Sequence, residues 1–178
     1  MIDWNKYQAE ALTTAVYPLE RELDYTVLGL VSEVGEVEEL SVVDKPQPEL
    51  WKKNVKTEIG DSFWYAAAIA DALGTTLQEV WDTRADTTAL ATSFAPSYLV
   101  IYAGRMAGHL KKTIRDDAGV LLPARRTAMI ATLGNVLTEL VALCTAMDTT
   151  AHAVTQANLN KLADRKQRGM LGGSGDRR

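Results

Sequence analysis

The chain has 178 residues, a length typical of one compact domain that can bury a core without disulfides or structural metal. Its 19 basic and 23 acidic residues give a net charge of -4, which argues against a nucleic-acid partner held by phosphate attraction alone. One cysteine excludes an intramolecular disulfide, and no leader opens the chain, so we expect a cytoplasmic protein. The weakly polar stretch around residues 65–70 stops at Asp71, far short of a bilayer's thickness, so we expect no membrane partner.

Apolar residues recur at helical spacing along nearly the whole chain, which predicts an all-α fold. The predicted helices, in chain order, cover about residues 4–12, 22–42, 50–73, a brief segment from Thr75 or Thr76 to Trp81, 97–116, 123–147 and 149–168. Residues 83–96 are rich in Thr, Ala and Ser, which indicates a connector of partial helical character.

An internal repeat links the two halves of the chain. The segment from Tyr25 aligns with the segment from Tyr98 at a shift of 73 residues, and the segment from Glu58 aligns with that from Thr132 at a shift of 74. Apolar and glycine positions coincide while charged positions do not, which predicts duplicated helical hairpins forming a four-helix-type bundle. The alternative is that two amphipathic hairpins of equal length merely look alike.

Two pairs of carboxylates stand out on consecutive helices. Glu33 and Glu36 are three residues apart, as are Glu58 and Asp61, so each pair projects from one helix face. Facing acidic pairs are costly to bury unless cations neutralise them, and oxygen ligands favour hard ions such as Mg²⁺ or Mn²⁺. A solvated acidic face is the alternative.

Each acidic pair also brackets a glycine, Gly35 or Gly60, which lets a second helix or a phosphate approach closely. The second half of the repeat lacks the acids. In place of the four carboxylates it carries Met106, His109, Thr132 and Asn135. Between His109 and Thr132 it also has the basic residues Lys111, Lys112 and Arg115. The repeat therefore predicts one half that binds metal and one half that supplies cations for phosphate, unless those lysines form an ordinary solvated face.

The segments LGLVSEVGEVEEL and KTEIGDSFWY, with 21 residues between Glu36 and Glu58, resemble the ExxE and ExxD motif of the all-α, MazG-like nucleoside triphosphate pyrophosphohydrolases. The segments KKTIRDDAGVLL and ANLNKLADRKQRG resemble the family's basic loop and closing segment. The resemblance covers nearly the whole chain and includes short phage-encoded members. It implies one complete site in an internal pseudo-dimer, with a catalytic, metal-binding half over residues 1–85 and a degenerate half over 86–178 in one domain.

The resemblance also implies residue roles. The metal ligands would be Glu33, Glu36, Glu58 and Asp61, with Glu36 or Glu58 as the catalytic proton acceptor and Mg²⁺, or Mn²⁺, as the cofactor. The phosphate-side residues would be Lys111, Lys112, Arg115, Lys161 and Arg165. For the base, Tyr7, Gln8 and Trp64 are candidates alongside Trp4 and Tyr65, although aromatic residues at helical spacing are more often core.

The predicted activity is cleavage of an NTP or dNTP, dGTP among those to try first, into the monophosphate and pyrophosphate. The alternatives are a non-catalytic nucleotide-binding or interaction module and a phosphoribosyl-ATP pyrophosphohydrolase-like enzyme. A di-iron oxidase is disfavoured because Glu-x-x-His pairs are missing at His109 and His152. Leftover apolar surface on small bundles favours a homo-oligomer, here a dimer of pseudo-dimers.

Overall fold

The structure, a computed structural model, describes residues 2–84 and 94–172, and this part of the chain is all-α as predicted. The helices are α1 (Trp4–Leu12), α2 (Glu22–Val42), α3 (Pro48–Ala72), α4 (Leu77–Thr83), α5 (Ser97–Asp116), α6 (Pro123–Ala146) and α7 (Ala151–Gln167), with one 3-10 turn at Leu19–Arg21. Their bounds agree with the predicted helices to within about two residues. Most of the predicted connector, residues 85–93, lies outside the described part.

Side-chain caps fix where several helices begin. Asp3 accepts from the Lys6 amide at 2.9 Å, and Thr150 accepts from the Ala153 amide at 3.1 Å. Thr76 and Glu79 form a reciprocal capping box at the start of α4. These caps satisfy first-turn amides that have no partner within the helix, so the helix starts are encoded locally.

Four long helices, α2, α3, α5 and α6, form a bundle. The indole of Trp51 donates to the Leu40 carbonyl at 2.7 Å, which ties the start of α3 to the end of α2 in an antiparallel hairpin. Arg126, near the start of α6, donates to the carbonyls of Leu73 and Gly74 at the end of α3. The largest fully buried side chains in the core are Trp4, Leu30, Ile59, Phe63, Ile69, Leu73, Leu77, Leu99, Met106, Met129, Leu133 and Leu137.

The helix that follows each hairpin packs on the other hairpin: α4 lies against α6, and α7 lies against α3. A Cβ added at Gly60 of α3 would lie 3.2 Å from the Asn158 Cβ, and one added at Gly134 of α6 would lie 3.0 Å from the Arg84 Cβ. The repeat aligns these two glycines. The reciprocal packing of α4 on α6 and of α7 on α3 is what duplicated hairpins would show. The common origin of the two hairpins stays a prediction.

Helix α6 is long and apolar enough to cross a membrane by length and composition alone, unlike the stretch around residues 65–70. In the structure 56% of its most apolar window is buried inside the protein. Leu133, Leu137 and Leu140 are fully buried there. The apolarity of α6 is therefore accounted for by its place in the bundle core.

Candidate functional site

Three glutamates converge on the outer face of the α2–α3 hairpin. One carboxylate oxygen from each of Glu33, Glu36 and Glu58 lies within 4.8 Å of the others. Glu33 and Glu58 are half-buried and Glu36 is exposed, so the group, called here the acid cluster, opens to solvent on one side. The helical spacing of the two pairs explains this convergence, and the role of the three as metal ligands stays a prediction.

Asp61, the fourth predicted ligand, lies beside the acid cluster and is held by α7. Lys161 donates to its Oδ2 at 2.5 Å, and the Asn158 amide donates to its Oδ1 at 2.8 Å. The sequence predicted Lys161 as a phosphate-side residue, and the structure does bring it to the carboxylates. Lys161 of α7, the helix that follows the second hairpin, thus contacts Asp61 of the first hairpin.

Tyr7 and Gln8, predicted near the base, have structural partners. The Tyr7 hydroxyl donates to the Asn158 Oδ1 at 3.3 Å, and burial, with Asp61 nearby, raises the pKa of Tyr7. Gln8 uses both ends of its amide: it donates to the Thr75 carbonyl at 3.3 Å and accepts from the Leu77 amide at 2.7 Å. Gln8 is buried, and both ends of its side-chain amide are hydrogen-bonded to backbone groups next to α4. Its side chain therefore fixes the start of α4 and is not available to bind a nucleobase.

The acid cluster is electrostatically crowded. Burial, together with the charges of Asp61, Glu36 and Glu58, raises the pKa of Glu33 to about 8, while Lys161 acts in the opposite direction. At neutral pH and with no cation bound, Glu33 therefore favours its protonated form. A divalent cation would relieve this repulsion.

The donor set fits a hard cation. The acid cluster offers carboxylate oxygens, the ligands that Mg²⁺ and Mn²⁺ prefer. No histidine or thiolate belongs to this group in the described part of the chain: Cys144 is buried in the core, and neither His109 on α5 nor His152 on α7 is a member. The cluster is therefore suited to magnesium or manganese rather than to zinc.

An aromatic cleft of about 100 Å³ adjoins Glu33 and Asp61. Its rings are Tyr17, Tyr25, Trp64 and Tyr65, and its basic residue is the buried Arg165. Trp64 is fixed there because its indole donates to the Ala11 carbonyl at 3.0 Å. The predicted residues Trp64 and Arg165 thus both line a cavity next to the acids, whereas Trp4 stacks on Phe63 and Trp81 in the core.

A second cavity, of about 730 Å³, lies between the first half of α3 and the first half of α7. Its lining includes Lys52, Lys53, Lys56 and Lys161, and we call it the lysine groove. Lys111, Lys112 and Arg115 are exposed on the last turns of α5 and line neither this groove nor the aromatic cleft. The cation that the structure brings to the acids is Lys161 of α7, which contacts Asp61.

The two glycines that bracket the acids differ. Gly60 does allow a close approach, because α7 packs on it at Asn158. Gly35 is exposed, and among the described residues a Cβ placed there would meet nothing within 4 Å. The predicted close approach of a second helix at Gly35 is therefore wrong, and that of a phosphate stays a prediction.

Sequence reasoning missed several residues of this region. Asn158 lies in the segment ANLNKL, where neither its residue type nor its spacing from Lys161 predicts a functional role. Gly29 lies under the ring of Tyr65, which an added Cβ would meet at 2.0 Å. Lys53 and Lys56 stand five and two residues before Glu58, and their closeness to α7 could not be predicted from their spacing on α3 alone.

Comparison with known proteins relates the chain to one from a bacteriophage. It is 42% identical to the Gene 37 protein of Mycobacterium phage L5 over 86 residues, which are 48% of this chain and 75% of the relative. The chain belongs to the Gene 37 protein family. No model of a known protein family matches this Gene 37 family member. No solved structure matches it either.

Proposed function

We propose that this Gene 37 family member is a metal-dependent nucleoside triphosphate pyrophosphohydrolase of the MazG-like type. The observation that carries the proposal is the convergence of Glu33, Glu36 and Glu58 within 4.8 Å, with Lys161 of α7 beside them at Asp61. Carboxylates grouped in this way repel one another unless a cation binds, and a triphosphate needs both metal and ammonium neighbours. The duplicated pseudo-dimer belongs to the same proposal.

The residues have distinct parts in this chemistry. Glu33, Glu36 and Glu58 would hold Mg²⁺, which when bound activates water and neutralises phosphate charge. Glu36 or Glu58 accepts a proton from the attacking water, whose oxygen bonds to phosphorus. The bond from that phosphorus to the oxygen bridging the α- and β-phosphates breaks, and monophosphate and pyrophosphate leave. Asp61 is kept in place by Asn158 and Lys161.

The test is release of pyrophosphate from a panel of NTPs and dNTPs, dGTP included, with Mg²⁺ or Mn²⁺. We expect turnover by the wild-type protein, a fall of at least about 100-fold in Glu58→Gln and a fall in Asp61→Asn, because each removes a charge at the site. Glu10→Gln, exposed on α1, is the matched control and should keep its activity. No turnover of any nucleotide, or equal turnover in wild type and Glu58→Gln, would overturn the proposal.

One observation favours a second candidate function. Lys161 contacts Asp61 at 2.5 Å, so an internal ammonium group already neutralises one of the four acids. A non-catalytic nucleotide-binding module would use this arrangement without turnover. This function predicts that calorimetry detects nucleotide binding while no pyrophosphate is released. Adding phosphoribosyl-ATP to the substrate panel tests the remaining alternative, a phosphoribosyl-ATP pyrophosphohydrolase-like enzyme.

A further inference from the structure

The lysine groove carries positive charge in a protein whose net charge is -4. Its lining has four ammonium groups, from Lys52, Lys53, Lys56 and Lys161, and a single carboxylate, from Glu49. Glu49 pairs with Lys52 at 3.6 Å on the exposed rim, and Lys161 contacts Asp61. Lys53 and Lys56 make no ion pair within the part of the chain that the structure describes. This concentration of cations selects for an anion.

The shape of the lysine groove gives the anion a direction. Its lining runs from Glu49 and Thr149, near the starts of α3 and α7, to an inner end at the contact of the two helices, where the Asn158 Cβ lies 3.2 Å from the ideal Cβ position of Gly60. The groove therefore includes the first turns of both helices, whose dipoles favour an anion. At the inner end Lys161 reaches Asp61, so the groove leads to the carboxylates.

The lining also excludes a nucleobase as the main occupant. None of the described residues that line the lysine groove is aromatic, and its apolar contributions come from small or aliphatic side chains such as Leu50, Ala153 and Val154. The rings lie on the other side of Asp61, in the aromatic cleft. Lys53 and Lys56 are three residues apart on α3, so both project from one face of the helix and can contact the same phosphate chain.

We propose that the lysine groove is an anion-binding subsite that takes the pyrophosphate end of the substrate, the β- and γ-phosphates, and the pyrophosphate product. Lys53 and Lys56 bind the phosphate oxygens, and Lys161, which also lines the groove, connects it to Asp61. The identity of the substrate rests on the proposed pyrophosphohydrolase activity, whereas the affinity of the groove for a linked phosphate chain does not. The α5 cations predicted from the sequence are replaced in this role by those of α3.

The experiment measures tripolyphosphate binding by isothermal titration calorimetry at low salt, with EDTA present so that metal does not contribute. The variant is Lys53→Gln with Lys56→Gln, and the matched control is Lys6→Gln with Arg21→Gln, which removes two exposed charges from α1 and the 3-10 turn. We expect the groove variant to bind about tenfold more weakly, because charge-assisted hydrogen bonds are lost, and the control to change less than about twofold. Circular dichroism checks that both variants fold.

Each result decides the proposal. Undetectable binding by the wild type, or equal weakening in both double variants, would overturn it. Tighter binding of a single-stranded oligonucleotide at the same lysines would also overturn it, because the groove would then be a nucleic-acid site. If the wild type binds tripolyphosphate through Lys53 and Lys56 but hydrolyses no nucleotide, the subsite stands and the proposed function fails. If hydrolysis occurs with an unchanged KM in the groove variant, the activity stands and the subsite fails.

Discussion

Asp61 joins the acidic and the basic parts of this region. Its two oxygens accept from Asn158 and Lys161, and Asn158 in turn accepts from Tyr7. Asn158 is buried, so the chain of hydrogen bonds connects α1, α7 and α3 away from solvent. A buried polar group that loses its partner costs more than the bond itself contributes, so this network fixes where Asp61 stands.

Replacing Asn158 tests that network. Asn158→Ala removes the acceptor of the buried Tyr7 hydroxyl and the amide that donates to Asp61, and we expect it to lower the free energy of unfolding by about 1–3 kcal/mol in urea titrations. Asn160→Ala, whose side chain is exposed on the same helix, should change it by less than about 0.5 kcal/mol. Equal effects of the two changes would show that the network contributes nothing to stability.

Glu33 makes stability depend on pH in metal-free buffer. Its pKa is raised to about 8 in the folded protein from an ordinary value of 4.5, so its contribution is complete below about pH 4.5. That contribution is lost as the pH rises through 8, because the folded state must then ionise Glu33 beside Asp61, Glu36 and Glu58. We expect the wild type to lose stability relative to Glu33→Gln between pH 5 and pH 8.

Thermal melts across this range, with EDTA present, measure the effect. The exposed-site variant Glu10→Gln should follow the wild-type curve, because Glu10 lies on α1 and its ion pair is with the exposed Lys6 rather than with the acid cluster. Mg²⁺ should raise the melting temperature of the wild type more at pH 8 than at pH 6, since the cation competes with the proton. A wild-type curve parallel to that of Glu33→Gln would contradict the assigned pKa.

At the scale of elements, the contact of α7 with α3 decides where the cations lie. The contact centres on Gly60, where the missing side chain admits Asn158, whereas Gly35 on α2 faces open space. Because both glycines lie next to the acid cluster, comparing substitutions at Gly35 and Gly60 isolates the effect of the α7 contact.

Alanine at the two glycines should have different effects. Gly35→Ala should stabilise the protein by about 0.5–1 kcal/mol, because alanine favours an exposed helical position. At Gly60 the added methyl forces Asn158 outward, and the packing cost should offset that gain, leaving Gly60→Ala at least about 1 kcal/mol less stable than Gly35→Ala. Urea unfolding measures both variants, and equal gains would show that α7 does not pack closely there.

The helices themselves follow from local sequence. Apolar periodicity and the caps at Asp3, Thr76 and Thr150 act within a few residues, so their positions can be predicted from the chain alone. The spacing of the carboxylate pairs likewise predicts the convergence on α2 and α3. The partners of Asp61 depend on α7 crossing to the first hairpin, a long-range contact that no local spacing encodes.

At the scale of the whole molecule, the way in which the two hairpins pack decides which basic residues lie near the acids. The repeat predicts a phosphate-binding role for the α5 cations Lys111, Lys112 and Arg115, because they lie in the half that lacks the acids. An alignment of two repeats, however, does not show which surfaces of the halves contact each other. The exchange of α4 and α7 between the hairpins places α7, with Lys161 and Arg165, beside the acids. The predicted dimer of pseudo-dimers stays a prediction.

The central claim is that the acid cluster binds a divalent cation, and Mn²⁺ titration followed by electron paramagnetic resonance tests it most directly. At pH 8, free Mn²⁺ gives a strong six-line signal that falls as the ion binds. We predict stoichiometric loss of that signal with wild-type protein and with Glu10→Gln, and little loss with Glu36→Gln or Glu58→Gln. Equal signal loss in all four proteins, or none in the wild type, would contradict the claim.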